Sequence, residues 1–434
     1  MGKISLMIMM AILVSFYLFP VGLTFLPANI NTKNLLSLIG VIWLAFDLLN
    51  KRDLGMPTHF LGATIFAILF SLICFFSMDI NHSTDTSYAT YFVSFSVWMF
   101  GAYTVSKGIS FVHGASNFKR LTCYLAFVCC VQCVLAVMID RIPALRLFVD
   151  RYIEQGQEFF KEVDRLYGIG ASLDNAGVRF AVVLLLIMAL VIKNVEVRND
   201  RRIFLPLLLA FLWITVVGNM ISRTTLLGSA FGLCYFIAAS GIFKLVLKAE
   251  FFKLYWAFFL LLGIGVPIVM YLYHHDADFY YQIRFAFEGF FNWMEKGEWR
   301  TDSTDKLNGT MWVWPVDLKT WVIGTGLFDG WVFGTDIGYC RFILYCGVLG
   351  FVVFALFFVY NAFIFGKSNP DYRDLFFFLL GLTFMIWIKV STDIFAFYAL
   401  FYCLDYFSST HLYLQKTMDR SKFTRSSVQT QKII

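Results

Sequence analysis

The sequence predicts an all-α polytopic integral membrane bundle, and three observations predict it. Hydrophobic residues make up 59% of the chain and charged residues only 15%, with a mean hydropathy of +0.71; soluble domains carry about 25% charge. The apolar residues gather into runs near the length of about 20 residues that a helix needs to cross a ~30 Å hydrocarbon core. Lys and Arg fall mainly on one side when the chain is threaded through those runs. The 51 phenylalanines fill lipid-facing and interhelical space without adding polar groups, and no chemistry is read into them.

About twelve transmembrane helices are expected on the length criterion, at 4–26, 35–50, 59–77, 88–106, 121–139, 176–192, 203–221, 223–243, 254–273, 336–361, 375–392 and 394–410. The first follows Lys3 and resembles a signal peptide. It lacks a small-x-small cleavage site and more spans follow, so it reads as an uncleaved helix. The seventh and eighth are parted only by Ser222, Arg223, Thr224 and Thr225, with Asn219 beside them. With the N-terminus inside, Lys51, Arg52, Lys107, Lys119, Arg120, Lys193, Arg198, Arg201, Arg202, Lys367 and Arg373 fall on the inner side. The outer segment 78–87 has Asp79 and Asp85 but no Lys or Arg. Both termini are therefore expected in the cytoplasm. Residues 1–410 form the bundle, and 411–434 a basic, disordered cytoplasmic tail near lipid headgroups.

Two long extracytoplasmic loops then follow, about 140–175 and 274–335. Loops of this length are usually functional or disordered, and their aromatic, charged composition predicts order. The spacing of Leu145, Phe148, Tyr152, Phe159, Val163 and Leu166 predicts an amphipathic helix over 144–167 on the outer face. The stretch 280–299, which contains Arg284, predicts a second. No internal repeat of the kind that marks many secondary transporters is present. The second loop ends in the stretch that organises the chain, 323–350: a Gly-rich aromatic loop up to Asp336, then a long apolar run with Arg341 one turn in.

Ionisable groups at membrane depth cost several kcal/mol unless paired or hydrated, so they are functional candidates. Arg179, Arg223, Asp336, Arg341, Lys389 and Asp393 all fall at outer span ends. Lys389 and Asp393, spaced i,i+4, are expected to neutralise each other across one helical turn. Arg341 is expected to pair with Asp336 or, like Arg179, to snorkel. Arg223 has no acid within sequence reach and needs a tertiary partner or an anionic ligand; guanidinium binds phosphate oxygens in bidentate fashion. Arg165 and Asn175 belong to RLYGIGASLDNAGVRF at 165–180, a glycine-containing helix entry in which Asp174 or Asn175 is the expected N-cap. Gly324, Gly326, Gly330 and Gly334 do not form a nucleotide loop, because no strand precedes them and no Lys-Ser/Thr follows. They serve tight turns or close approach of the backbone to a ligand. The nine cysteines all lie in apolar runs, including Cys129, Cys130 and Cys133, and read as packing residues rather than as a disulfide framework or zinc site. His274 and His275 sit beside Asp276 and Asp278, but adjacent histidines do not share a helix face. No metal is expected.

Together these pieces resemble the bacterial O-antigen polymerase and O-antigen ligase superfamily, membrane glycosyltransferases that use undecaprenyl-diphosphate-linked glycans. GTGLFDG at 324–330 is similar to the family's G-x-G. Asp336 stands where the ligases have His, Ile337 replaces the polar residue that follows it, and Gly347 and Gly350 fall at the matching spacing. Ser222-Arg223-Thr224 resembles the short Ser-Arg element, and Arg165 to Asn175 the outer-loop Arg…Gly…Asn pattern. The Arg often found ahead of the G-x-G is missing, with Asn308, Gly309 and Thr310 in that region, and these departures favour a polymerase. The resemblance implies Asp336 as general base and Arg223, Arg165, Arg179 and Arg341 on the diphosphate. It implies Asn175, Arg284, Gly324 and Gly326 on the glycan side, and no cofactor. The implied location is the bacterial inner membrane, with the active site extracytoplasmic. The implied partners are the lipid-linked oligosaccharide, the bilayer, and a chain-length regulator and flippase of the same pathway, with no nucleic acid. The rival readings are a ligase acting on lipid A core, a lipid-linked oligosaccharide flippase, and a structural subunit of an export complex.

Overall fold

A computed structural model describes residues 2–27, 30–51, 59–155, 165–240 and 252–407. Lys3–Leu18 (α1), Thr32–Lys51 (α2), Phe60–Ile80 (α3), Tyr91–His113 (α4) and Phe118–Arg141 (α5) come first. Pro143–Tyr152 (α6) leads into Ile153–Glu154 (β2), which pairs antiparallel with Gly22–Leu23 (β1). Next come Leu173–Lys193 (α7), Val195–Asn199 (α8), Arg201–Ile221 (α9), Thr225–Ser240 (α10) and Phe252–His275 (α11). Four short helices follow: Ala277–Ala286 (α12), Glu288–Lys296 (α13), Asp302–Thr310 (α14) and Leu318–Ile323 (α15). Gly338–Ser368 (α16), Arg373–Ile386 (α17) and Phe395–Tyr402 (α18) complete the described chain.

The chain is thus an all-α polytopic membrane protein. Among the described helices, α2, α3, α5, α7, α9, α11 and α16 are long and apolar enough to cross a bilayer; α1 and α10 are apolar but shorter. The centre is α7. Sixteen of its residues, from Ala176 to Ile192, are buried, as suits a helix that is apolar on every side. It packs against α5, α9, α10 and α17. At the other extreme, none of the apolar window of α11 is buried in the protein. Its outward Phe259, Leu260, Ile264 and Ile268 are more than half exposed, the surface a lipid-facing helix presents.

The two ends of the bundle differ. One end gathers 19–27, 81–90, 165–172, 222–224, 276–337 and 387–394. Ser83 Oγ donates to Gly326 O at 2.6 Å, Ser222 Oγ to Asp174 Oδ1 at 3.0 Å, and Arg341 Nη1 to Ser391 Oγ at 2.9 Å. The opposite end is tied by Ser116 N–H to Asp405 at 2.7 Å, by Lys119 to Glu196 at 3.3 Å and by Lys193 to Asp374 at 3.0 Å.

Several expected elements are corrected. The helix expected over 144–167 stops at Tyr152, because the chain turns there to pair with Gly22–Leu23; residues 156–164 lie outside those described. The stretch 280–299 is two helices, broken at Phe287 (φ −115°, ψ 30°). The run 375–392 is helical only to Ile386. Beyond it the Trp387 indole N–H donates to Thr392 O at 2.7 Å and Asp393 Oδ1 accepts from Phe395 N–H at 2.8 Å. The Asp393 bond offers the backbone a local alternative to the helical ladder, as Asp side chains commonly do. The break expected at 222–225 is present, between α9 and α10. The basic tail 411–434 lies outside the described residues.

The longest helix, α16, is itself broken. Gly347 has φ 66° and ψ 178°, a conformation essentially reserved for glycine. The carbonyls of Leu344 and Tyr345 accept instead from the loop: Thr325 N–H at 2.7 Å, Thr325 Oγ1 at 2.8 Å and Gly326 N–H at 2.9 Å. Ser77 of α3 also donates to Tyr345 O at 2.7 Å. Buried carbonyls need a donor, and the 324–326 segment is pinned to the broken turn by supplying one.

Candidate functional site

The pinned loop delivers Asp336. Thr335 is buried, donates to Met311 O at 2.6 Å and accepts from Ile337 N–H at 3.1 Å, and Ile337 is itself fully buried. Asp336 is therefore held between two anchored neighbours in the turn just ahead of α16, half-buried. Burial pushes its carboxyl above the usual range, and the nearby Asp174 carboxylate adds to this, partly offset by Arg341, Lys389 and Arg165.

Asp174 was an expected N-cap of α7. That place belongs to Ser172, whose side chain makes no capping bond. Asp174 Oδ1 instead accepts from Ser222 Oγ and Thr224 Oγ1, both at 3.0 Å, and so secures the α9–α10 break. Arg223 projects from that break. Its missing partner is Glu288, at the start of α13, with Nη1 to Oε2 at 2.7 Å; Nη1 also donates to Ser303 Oγ at 3.1 Å. Arg223 and Arg165 share the Phe285 ring, 4.1 Å and 5.1 Å from its centroid. The Nε atoms of both guanidiniums are buried and have no hydrogen-bond partner among the described residues. A buried unsatisfied donor costs about 1–3 kcal/mol, more on a charged group.

Lys389 joins this group, which corrects the expected Lys389–Asp393 pair. The i,i+4 rule holds only within a helix, and 387–394 is not one. Lys389 lines the same cleft as Arg223 and lies within electrostatic reach of Asp174, Arg223, Arg165 and Asp336. The cleft, about 160 Å³, is completed by Leu226, Phe287, Gly289, Trp299, Thr301 and Ser303. Trp312, Trp314 and Trp321 stand nearby in the chain as a stacked series, with ring centroids 5.7 Å and 5.8 Å apart. Trp312 and Trp314 remain 41% exposed, so part of each indole is free for a ligand.

Other expected site residues are placed elsewhere. Arg341 does not pair with Asp336. It donates to Phe328 O and to Ser391 Oγ, and its guanidinium lies 4.0 Å from the Phe328 ring centroid. It is a clamp on the 324–330 loop. Asp85 closes the same loop by accepting the Phe328 and Asp329 N–H groups, the latter at 2.7 Å. Burial opposes the Asp85 charge, but hydrogen bonds from Ser87 and these N–H groups outweigh it and hold its carboxyl below the usual range. Gly324 (φ 88°) and Gly326 (φ 67°) lie against the backbone of Tyr345 and Met78, so their close approach is to the protein itself. Arg284 is taken by a bidentate pair with Glu295, 2.7 Å on each arm. Asn175 is exposed on the first turn of α7. Arg179 lies 5.7 Å from the Phe19 ring centroid, apart from Arg223 and in a second charged group with Lys33 and Asp393.

Among the described residues, no set of three His, Cys, Asp or Glu side chains is placed to hold a metal ion. No family model, curated protein or solved structure matches this chain.

Proposed function

We propose that this protein is a membrane glycosyltransferase of the O-antigen polymerase kind, lengthening a glycan carried on undecaprenyl diphosphate. The observation that carries the reading is Lys389, which lines the Arg223 cleft at one loop-covered end of an apolar bundle and lies within electrostatic reach of Arg223, Arg165 and Asp336. The bundle has about twelve spans with both termini in the cytoplasm, and the Asp336 end faces outward, as the Lys and Arg distribution favours.

In this reading the donor's diphosphate binds against Arg223 and Arg165, whose unpaired Nε donors suit phosphate oxygens. An acceptor hydroxyl oxygen forms a bond to the donor's anomeric carbon as the bond from that carbon to the diphosphate oxygen breaks. The bond's electron pair leaves on the diphosphate, where the cations stabilise it. Asp336 takes the hydroxyl proton, a role its raised carboxyl suits. The Trp312–Trp314–Trp321 series offers apolar faces to sugar C–H groups.

The test is purified protein with a defined undecaprenyl-diphosphate oligosaccharide, product length read on a gel. A ladder of lipid-linked multimers, lost in Asp336→Asn and Arg223→Ala, is expected. Transfer only after lipid A core is added would make the protein a ligase. No turnover, with donor crossing a vesicle bilayer, would replace the reading with a flippase.

A further inference from the structure

A second group of charges lies beside the first. Lys33, on the first turn of α2, holds its Nζ 4.6 Å from the Trp98 ring centroid. Trp98 meets the Tyr17 ring edge-on at 5.1 Å, and the Tyr17 hydroxyl donates to Ala396 O at 2.7 Å, three residues beyond Asp393. Arg179, on the second turn of α7, faces the Phe19 ring. Asp393 lies within electrostatic reach of both Lys33 and Arg179. All three charged side chains are half-buried. Among the described residues, neither Lys33 nor Arg179 has a carboxylate within 4.0 Å or a side-chain hydrogen bond. Asp393 has one oxygen committed to the Phe395 N–H.

The charges do not balance: two cations face one carboxylate. A surplus cation at membrane depth costs several kcal/mol unless an anion offsets it, and the two aromatic rings supply only part of that through cation–π contact. The two groups are also distinct. Lys389 acts on Asp174, Arg223, Arg165 and Asp336, whereas Lys33, Arg179 and Asp393 act on one another. The 387–394 segment contributes one member to each.

We infer that Lys33 and Arg179, with Asp393 between them in charge, form a second anion site that takes the phosphate or diphosphate of a lipid headgroup independently of Arg223. Lys33 and Arg179 are half-buried near the loop-covered end of the bundle, and the Trp98 and Phe19 rings against them suit the junction of headgroup and chain. Its role as the seat of a second lipid-linked substrate rests on the proposed polymerase reading, since polymerisation joins two such substrates. The anion site itself does not.

The experiment is native mass spectrometry of the full chain, titrated with undecaprenyl diphosphate in phosphatidylcholine nanodiscs. Wild type is expected to bind two equivalents, the Lys33→Met/Arg179→Met variant one, and Arg223→Ala one. The equivalent retained by the double variant shows that it is folded, and Arg179→Lys should restore the second equivalent. If the double variant still binds two, or wild type binds one that Arg223→Ala abolishes, the second site is overturned and the first reading stands. If wild type binds none, the functional reading falls with it. Displacement of the second equivalent alone by phosphatidylglycerol would leave an anionic-headgroup site and overturn its role for the second substrate.

Discussion

Replacing Gly347 with Ala gives opposite signs for the two shapes α16 could have. In a continuous helix, Gly→Ala stabilises by about 1 kcal/mol through helix propensity. In the broken helix described here, φ 66° with ψ 178° costs a non-glycine residue on the order of 1–3 kcal/mol. The added Cβ would also press into the Val322 backbone, which is not the far end of a flexible side chain and has nowhere to go. If the loop lifts to relieve that contact, the Thr325 and Gly326 N–H bonds to Leu344 O and Tyr345 O are strained, at about 1 kcal/mol each. The sum is a loss of roughly 3–5 kcal/mol, to be read as a fall of several degrees in the unfolding temperature of the detergent-purified protein, followed by tryptophan fluorescence. Gly263→Ala in α11 is the control: its Cβ would meet nothing within 4 Å, so it should be neutral or mildly stabilising. A Gly347→Ala protein as stable as wild type or more stable would refute the break, and with it the account of how Asp336 is positioned.

If Asp336 is the proton acceptor, turnover needs its carboxylate, and because its carboxyl is raised the rate should already fall as the pH drops through values above the ordinary carboxylate range; an acid limb at or below that range in a pH–rate profile would exclude it. Glu288→Gln removes the carboxylate that competes for Arg223 and should tighten undecaprenyl-diphosphate binding by about tenfold, or 1.4 kcal/mol, in a titration; weaker binding would show that Glu288 contacts the ligand favourably. Asp85→Asn replaces the charged acceptor of two loop N–H groups, so hydrogen exchange at 328–329 should rise by roughly tenfold, while an unchanged rate would mean the clamp lies elsewhere. Arg284→Ala removes a largely exposed ion pair and should cost under about 1 kcal/mol with the multimer ladder intact; loss of the ladder would return Arg284 to the glycan site.

What was legible in the sequence was what local pattern controls. Apolar run length located most of the long helices, but seven among the described residues are long and apolar enough to cross a membrane rather than about twelve. Among the described residues, the expected spans 4–26 and 394–410 are helical only over Lys3–Leu18 and Phe395–Tyr402. The Ser-Arg-Thr-Thr interruption located the α9–α10 break, because four polar residues between apolar runs leave few other outcomes. The need of Arg223 for a distant partner was also legible; its identity was not, since Glu288 lies 65 residues on and only the fold joins them. Lys389 and Asp393 have the i,i+4 spacing of a helical ion pair. That spacing joins side chains only in a helix, and the helix ends at Ile386, beyond which Trp387 Nε1–H donates to Thr392 O and Asp393 Oδ1 accepts the Phe395 N–H. The spacing of Gly347 to Gly350 is visible in the sequence, yet the structural role of Gly347 is its positive φ, which no spacing reveals.

The closed state of Arg223 bears on how a substrate would enter. Its Nη1 is occupied by Glu288 while its Nε is buried and unpaired, so an incoming diphosphate must either take Nε from within the cleft or displace Glu288. Glu288 begins α13 directly after the Phe287 break, and its Oε1 accepts the Asp302 N–H at 2.8 Å, so it ties together two of the short helices that cover the cleft. On the second route alone, an anion arriving at Arg223 would displace the carboxylate that also joins the starts of α13 and α14. A ligand carrying more than one negative charge is favoured in that exchange, because a single carboxylate-like charge would gain at Arg223 only what it lost from Glu288.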